Sequence, residues 1–232
     1  IKQKMDTFVK EGAAFNVGDE MISLTLRVIC EAAFQYDMSD EEQTEFLTEF
    51  RIALSEMYKS IIPFRHKLGF FFSGVQRGRL ASRRLLAIGQ RILDSYRRLN
   101  DDDIIKGTVV DCIARNKAYN NDTERIVDIF VLLVAGHDTT AYTLAWTLLE
   151  LAKNPKEQLA LQKELNKMPT DKRHKTPMLV NVIRESMRLH PVAAAGVSRI
   201  SNKDIIVKRN DDKDILIPKG SELTLSPIVV HR

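Results

Sequence analysis

The most sustained hydrophobic pattern covers residues 126–152, where Leu, Val, Ile, Ala, Phe and Trp fill nearly every position around a helical wheel. Apolar residues on every face predict a helix buried all round. Its apolar length would also suffice to cross a membrane. Against that, Asp128, His137, Asp138 and Glu150 are too many ionisable groups for a lipid-facing helix, and Asp138 falls near the centre. Asn120-Asn121-Asp122 supplies a start signal, and Asn154-Pro155 ends this helix and opens the next.

Upstream, residues 21–36 read as one apolar helix, and residues 40–60 as a more polar one that starts at an Asp or Ser cap. Gly69 and Gly74 interrupt a Phe-rich turn. Leu85, Ile88, Ile92, Tyr96 and Leu99 then recur at helical spacing within residues 79–99. Residues 180–190 form an amphipathic helix that Pro191 stops. Beyond it the period shortens. Residues 205–207, 215–217 and 223–225 read as short strands, with turns at Asn210-Asp211-Asp212 and Pro218-Lys219-Gly220. The fold class this predicts is mainly α, with a long buried central helix and a small C-terminal β region. No internal repeat, low-complexity tract or domain linker interrupts it.

Chemistry concentrates in the central helix, at Ala135-Gly136-His137-Asp138-Thr139-Thr140. Burying Asp138 costs several kcal/mol unless it is hydrogen-bonded. Ala135 and Gly136 lie one turn before Thr139 and Thr140, which leaves room for a flat ligand near the backbone, and each threonine hydroxyl can compete for a carbonyl there. An acid beside an alcohol, next to such a gap, suits proton delivery. The plainer alternative is that both threonines bond back to the carbonyl four residues earlier. A second feature is Glu185-x-x-Arg188, followed by His190-Pro191. Three residues apart on a helix, Glu185 and Arg188 share a face and can pair. In isolation such a pair is usually a solvated surface bridge.

The chain has 232 residues, 44% hydrophobic and 28% charged, with a net charge of +4. That is an ordinary globular balance with ample length for one core. Two distant cysteines, Cys30 and Cys112, argue for reduced thiols in a helical core rather than a disulfide framework. Basic residues crowd one region: Arg77, Arg79, Arg83, Arg84, Arg91, Arg97 and Arg98. Arg84, Arg91 and Arg98 recur every seven residues on a single face. Such a face suits either solvent or an anionic membrane or partner, and Phe70, Phe71 and Phe72 lie just upstream. No nucleic-acid motif accompanies the charge. No nucleophile elbow or phosphate-binding glycine loop is present, and the five histidines lack metal-site spacing. Asn121-Asp122-Thr123 matches a glycosylation sequon, which its role as a helix cap already explains.

The order of these features resembles the cytochrome P450 superfamily of haem-thiolate monooxygenases. Ala135 to Thr140 match the oxygen-side motif of that family's long central helix, and Glu185 and Arg188 match its Glu-x-x-Arg motif. The resemblance is specific from about Asp122 onward. It implies a haem cofactor, insertion of one atom of O2 into an apolar organic substrate, and electrons from a reductase. By the same resemblance, Asp138 and Thr139 relay protons, while Ala135, Gly136 and Thr140 shape the haem groove. Arg199 binds a haem propionate, and Glu185 and Arg188 form a buried core pair. Val192, Ala193, Ala194, Ala195, Gly196 and Val197 line the substrate pocket. A eukaryotic family member would sit on the cytosolic face of the endoplasmic reticulum membrane.

The chain lacks the family's Phe-x-x-Gly-x-x-x-Cys-x-Gly loop, and neither Cys30 nor Cys112 sits where the haem ligand should be. The expectation is therefore that residues 1–232 are an internal piece of one P450 domain, with the proximal Cys ligand beyond Arg232. Two rivals remain. One is a non-catalytic P450-like piece that binds a partner or membrane surface through its basic helix. The other is an unrelated helical hydrolase using Asp138 and His137 as acid and base.

Overall fold

A computed structural model describes residues 2–59, 72–193, 196–208 and 214–230. Phe70, Phe71, Ala194, Ala195 and the turn expected at 210–212 lie outside the described residues. Helices come first: α1 (Lys2–Glu11), α2 (Val17–Phe34), α3 (Asp40–Tyr58), α4 (Ser73–Arg97), α5 (Val109–Arg115), α6 (Asp122–Lys153) and α7 (Pro155–Lys167). A 3-10 turn (Thr170–Lys175) leads to α8 (Pro177–Leu189). Strands β1 (Ser198–Ile200), β2 (Ile205–Val207), β3 (Ile215–Ile217) and β4 (Glu222–Thr224) follow, then the short α9 (Pro227–Val230). The mainly α expectation holds. The chain clusters into two compact units whose boundary falls inside α6, between Ala141 and Tyr142.

Local chemistry accounts for the helix ends. The Ser39 side chain accepts from the Glu42 backbone N–H while Glu42 reaches back to Ser39, a complete capping box at the start of α3. Asn16 caps α2 through Gly18 and Asp19. At the start of α6, Asn121 Oδ1 accepts from the Glu124 N–H at 3.1 Å. Pro155 and Pro177 occupy first-turn positions of α7 and α8, where a missing N–H costs nothing.

In the first unit, the core gathers Leu26, Cys30 and Phe34 of α2, Phe46 of α3, Leu85, Ile88, Ile92, Leu93 and Tyr96 of α4, Val110 and Ile113 of α5, and Ile129 and Leu133 of α6. A polar network closes one end of it. Asp111 accepts from Tyr96 Oη at 2.6 Å, from the Gly107 N–H at 2.8 Å and from Arg115 Nε at 2.5 Å. These donors, Tyr96 foremost, hold the Asp111 carboxyl down to about 2.

The basic residues of α4 divide differently from the expectation. Arg84 pairs with Glu49 of α3, whose side chain is buried, and Arg91 lies 2.8 Å from Glu42 and 3.0 Å from Glu45. Arg97 meets both carboxylate oxygens of Asp122, at 2.7 and 2.8 Å. The seven-residue recurrence of Arg84 and Arg91 is thus an interhelical charge register against α3. The acids facing them are spread over Glu42, Glu45 and Glu49, a spacing that matches the arginine repeat.

In the second unit, β1 pairs antiparallel with β4 and β2 with β3, giving two separate two-stranded ribbons. Ser198-Arg199-Ile200 shows no apolar run, so the hydrophobic pattern does not predict β1. It is a strand because its register places Ser198 opposite Thr224 and Ile200 opposite Glu222. The predicted turn at 218–220 is present, with Gly220 in the left-handed region and its N–H donating to the Ser201 carbonyl at 2.8 Å.

Candidate functional site

Along α6 the burial is one-sided, which corrects the expectation of a helix enclosed all round. Ile129 and Leu133 are fully buried, whereas Val131 and Leu132 are 53% and 43% exposed and Val127 is exposed too. Among the described residues of the first unit, α2, α3 and α4 pack along one side of the helix. Ala135 and Thr139 lie one and two turns on from Val131 and are also exposed. An open apolar strip therefore carries a small residue and then an alcohol.

The structure places the residues of the hexapeptide in unlike surroundings. His137 is the buried ionisable group, with no exposed surface, while Asp138 is only partly buried. His137 Nδ1 lies 2.9 Å from the Leu133 carbonyl, which can only accept, so Nδ1 carries the proton. Its Nε2 is buried and finds no hydrogen-bonding partner among the described residues. Phe46 and Phe50 of α3 meet the imidazole edge-on, at 5.5 and 5.9 Å between ring centres. Desolvation pushes its pKa below the ordinary imidazole value, outweighing the Leu133 hydrogen bond and Asp138. A ring sealed in this way cannot exchange protons with a substrate, which removes the hydrolase alternative.

Gly136 does not open a space for a flat ligand. A Cβ there would fall 2.1 Å from Ile29 Cδ1, so the missing side chain is filled by α2. Thr25 Oγ1 of α2 reinforces the contact by donating to the His137 carbonyl at 2.9 Å. Thr139 and Thr140 donate to the carbonyls of Ala135 and Gly136 at 2.8 and 2.9 Å. That is the plainer alternative for threonines inside a helix.

In the second unit, Arg188 Nε and an Nη atom donate to the two oxygens of Glu185 at 2.9 and 2.6 Å. The expected burial is not found. The Glu185 and Arg188 side chains are 56% and 45% exposed. Arg199 on β1 is exposed, donating to the Ser198 carbonyl at 3.1 Å. Val192, Ala193, Gly196 and Val197 are exposed, while Ala194 and Ala195 lie outside the described residues. Gly196 is required by its turn. Its φ is +67°, and a Cβ would meet the Leu225 carbonyl oxygen at 1.9 Å.

One contact went unread in the sequence. Trp146 of α6 stacks on His190 with ring centres 4.0 Å apart and planes 4° from parallel, and His190 Nε2 lies 3.0 Å from Glu150. Only the i,i+4 spacing of Trp146 and Glu150 hinted that they share a face. The cysteines also differ from each other. Cys30 is buried, and desolvation drives its thiol up to about 12, whereas Cys112 is exposed rather than in the core.

The family model described as cytochrome P450 matches residues 1–232. The chain belongs to the cytochrome P450 family. Among curated relatives, human cytochrome P450 4F3 is 26% identical over 98% of this chain and 48% of its own length. The sterol 26-hydroxylase, mitochondrial, of Rattus norvegicus is 40% identical over 44% of this chain and 19% of its own. A crystal structure of a cytochrome P450 (CYP102L1) superposes with a TM-score of 0.77 at 20% identity, covering 97% of this chain and 53% of that one. At that identity the likeness speaks for the fold. The chain spans about half the length, or less, of the relatives it matches.

Proposed function

We propose that the protein to which this chain belongs is a haem-dependent monooxygenase that inserts one atom of O2 into an apolar organic substrate, with electrons from a reductase. Residues 1–232 then form part of a single P450 domain. The observation that carries this reading is the open strip of α6, in which Val131, Leu132 and Ala135 lead to Thr139 and Asp138, in a chain matched by the family over residues 1–232.

The residues present fit a haem. Among the described residues of the first unit the strip is apolar and uncovered, and a small residue at its middle would let a flat macrocycle approach the helix backbone. Arg199 offers an exposed guanidinium suited to a propionate. Haem supplies the redox chemistry with O2, and the protein supplies orientation and protons. In this reading Thr139 and Asp138 hold and pass the proton, Ala135 keeps the strip clear, and Thr140 flanks it. Gly136 serves indirectly, by letting α6 close onto α2. Val192, Ala193, Ala194, Ala195, Gly196 and Val197 belong to the substrate-pocket wall, and Glu185 with Arg188 forms the structural pair.

A thiolate donates electron density to iron and favours O–O cleavage. Cys30, buried and hard to ionise, is unsuited to that role. By the family resemblance, the ligand is assigned to a cysteine loop outside residues 1–232. A reduced carbon-monoxide difference spectrum of the full-length protein tests the reading. A thiolate-type Soret band that survives Cys30→Ser and Cys112→Ser is the expected result, and its absence from the unsubstituted protein overturns the function. The pairing of Arg84 and Arg91 with α3 weighs against the non-catalytic membrane-binding alternative, since it engages two of the seven arginines on which that alternative relies.

A further inference from the structure

His190 ends α8 and immediately precedes Pro191, so the chain's exit from the helix is decided there. Its N–H donates to the Ser186 carbonyl at 2.8 Å, closing the last turn, and its backbone leaves the helical region at φ −128°, ψ 69°. A following proline disfavours the α region at His190, so the backbone departure is built into the sequence. The direction that the chain then takes needs a further constraint, which the side chain provides.

Two residues of α6 hold that side chain at once. The indole of Trp146 lies flat against the imidazole, 4.0 Å between centres and 4° between planes. One turn further on, Glu150 Oε1 is 3.0 Å from His190 Nε2. Glu150 is steadied in turn by Lys153 Nζ at 3.0 Å, and those two partners, Lys153 first, hold its carboxyl below the usual range. Stacking fixes the plane of the imidazole, and the hydrogen bond fixes its rotation within that plane. Together they leave His190 no free torsion.

We infer that Trp146 and Glu150 clamp His190 as a positioning residue for the chain's exit from α8 at Pro191, Val192 and Ala193, so that the start of this segment's path is set from α6. Val192 and Ala193 are exposed, so burial of their side chains does not hold the start of that path; further on, Gly196 is fixed against the Leu225 carbonyl, with its N–H donating to the Ala193 carbonyl at 3.0 Å. The consequence for substrate rests on the proposed role of the segment as a pocket wall.

The experiment is hydrogen–deuterium exchange on the full-length haem protein, with and without His190→Ala, alongside binding of 4-phenylimidazole read from the Soret shift. His190→Ala is expected to speed amide exchange across 192–200 by about tenfold or more, with haem content and protection of α2 to α4 unchanged. His190→Phe, which keeps a ring against Trp146, restores most of the protection. Glu150→Gln is the milder variant should His190→Ala fail to fold, and it gives a smaller rise confined to the same peptides. A uniform rise along the chain, or none at 192–200, overturns the clamp. A confined rise with unchanged azole affinity upholds the clamp and removes the segment from the pocket wall.

Discussion

A Cβ added to Gly136 would sit 2.1 Å from Ile29 Cδ1. The glycine in the middle of the central helix is therefore a packing residue of the α2–α6 contact. Gly136→Ala gains about 1 kcal/mol of helix propensity and loses roughly 1–3 kcal/mol to overpacking. The clashing atom is the tip of a flexible side chain, so the net loss should be near the lower end. Ile29→Val removes that tip. In the Ile29→Val background, Gly136→Ala should become neutral or stabilising, giving a coupling of roughly 0.5–3 kcal/mol in a denaturant-melt double-mutant cycle. Additive effects would show that Gly136 and Ile29 do not meet.

The sealed imidazole of His137 predicts a pH-dependent core. Its folded pKa is depressed, so the unfolded chain binds the proton more readily. The neutral ring's contribution is intact above the unfolded value of about 6.5. It is lost progressively as pH falls below that value, until the folded pKa is passed. Melting temperature should drop between pH 7 and 5. His137→Asn keeps a donor for the Leu133 carbonyl without titrating, and it should flatten that slope. An equal slope in the variant would assign the effect to other groups.

Thr139→Ala in the full-length protein should leave haem content unchanged and divert reducing equivalents to peroxide. Loss of a positioned proton donor typically costs roughly 10²–10⁴-fold in the step that it serves. Peroxide yield measured against product formation decides the matter. Unchanged coupling would leave Thr139 a structural role, with its hydroxyl donating to the Ala135 carbonyl.

Arg84→Ala strands the buried carboxylate of Glu49. It should cost about 1–3 kcal/mol of stability and leave binding to phosphatidylserine-containing vesicles as it was. Vesicle affinity that falls with unchanged stability would return α4 to the role of a membrane-facing helix.

Much of the local structure was legible because it depends on neighbours in sequence. Ser39 with Glu42, Asn121 before α6, and the prolines at 155 and 177 are signals read within one turn. The Ala135–Thr140 and Glu185–Arg188 motifs were legible for the same reason, since spacing along a helix places residues on a face without any knowledge of the fold. Strand β1 was not, because its pairing with β4 is a partnership between residues more than twenty positions apart.

The sequence by itself determined where α2, α3, α4, α6, α7 and α8 lie, that the central one carries an acid and alcohols beside small residues, and that the family is cytochrome P450. Only the tertiary structure decided which of those residues meets what. It buried His137 rather than Asp138, filled the Gly136 gap with Ile29, turned Arg84 and Arg91 of α4 onto the acids of α3, left Glu185 and Arg188 exposed, and stacked Trp146 on His190. The physical reason is that burial and charge pairing belong to surfaces. A helical wheel shows which residues share a face, but the partner packed against that face comes from a distant part of the chain.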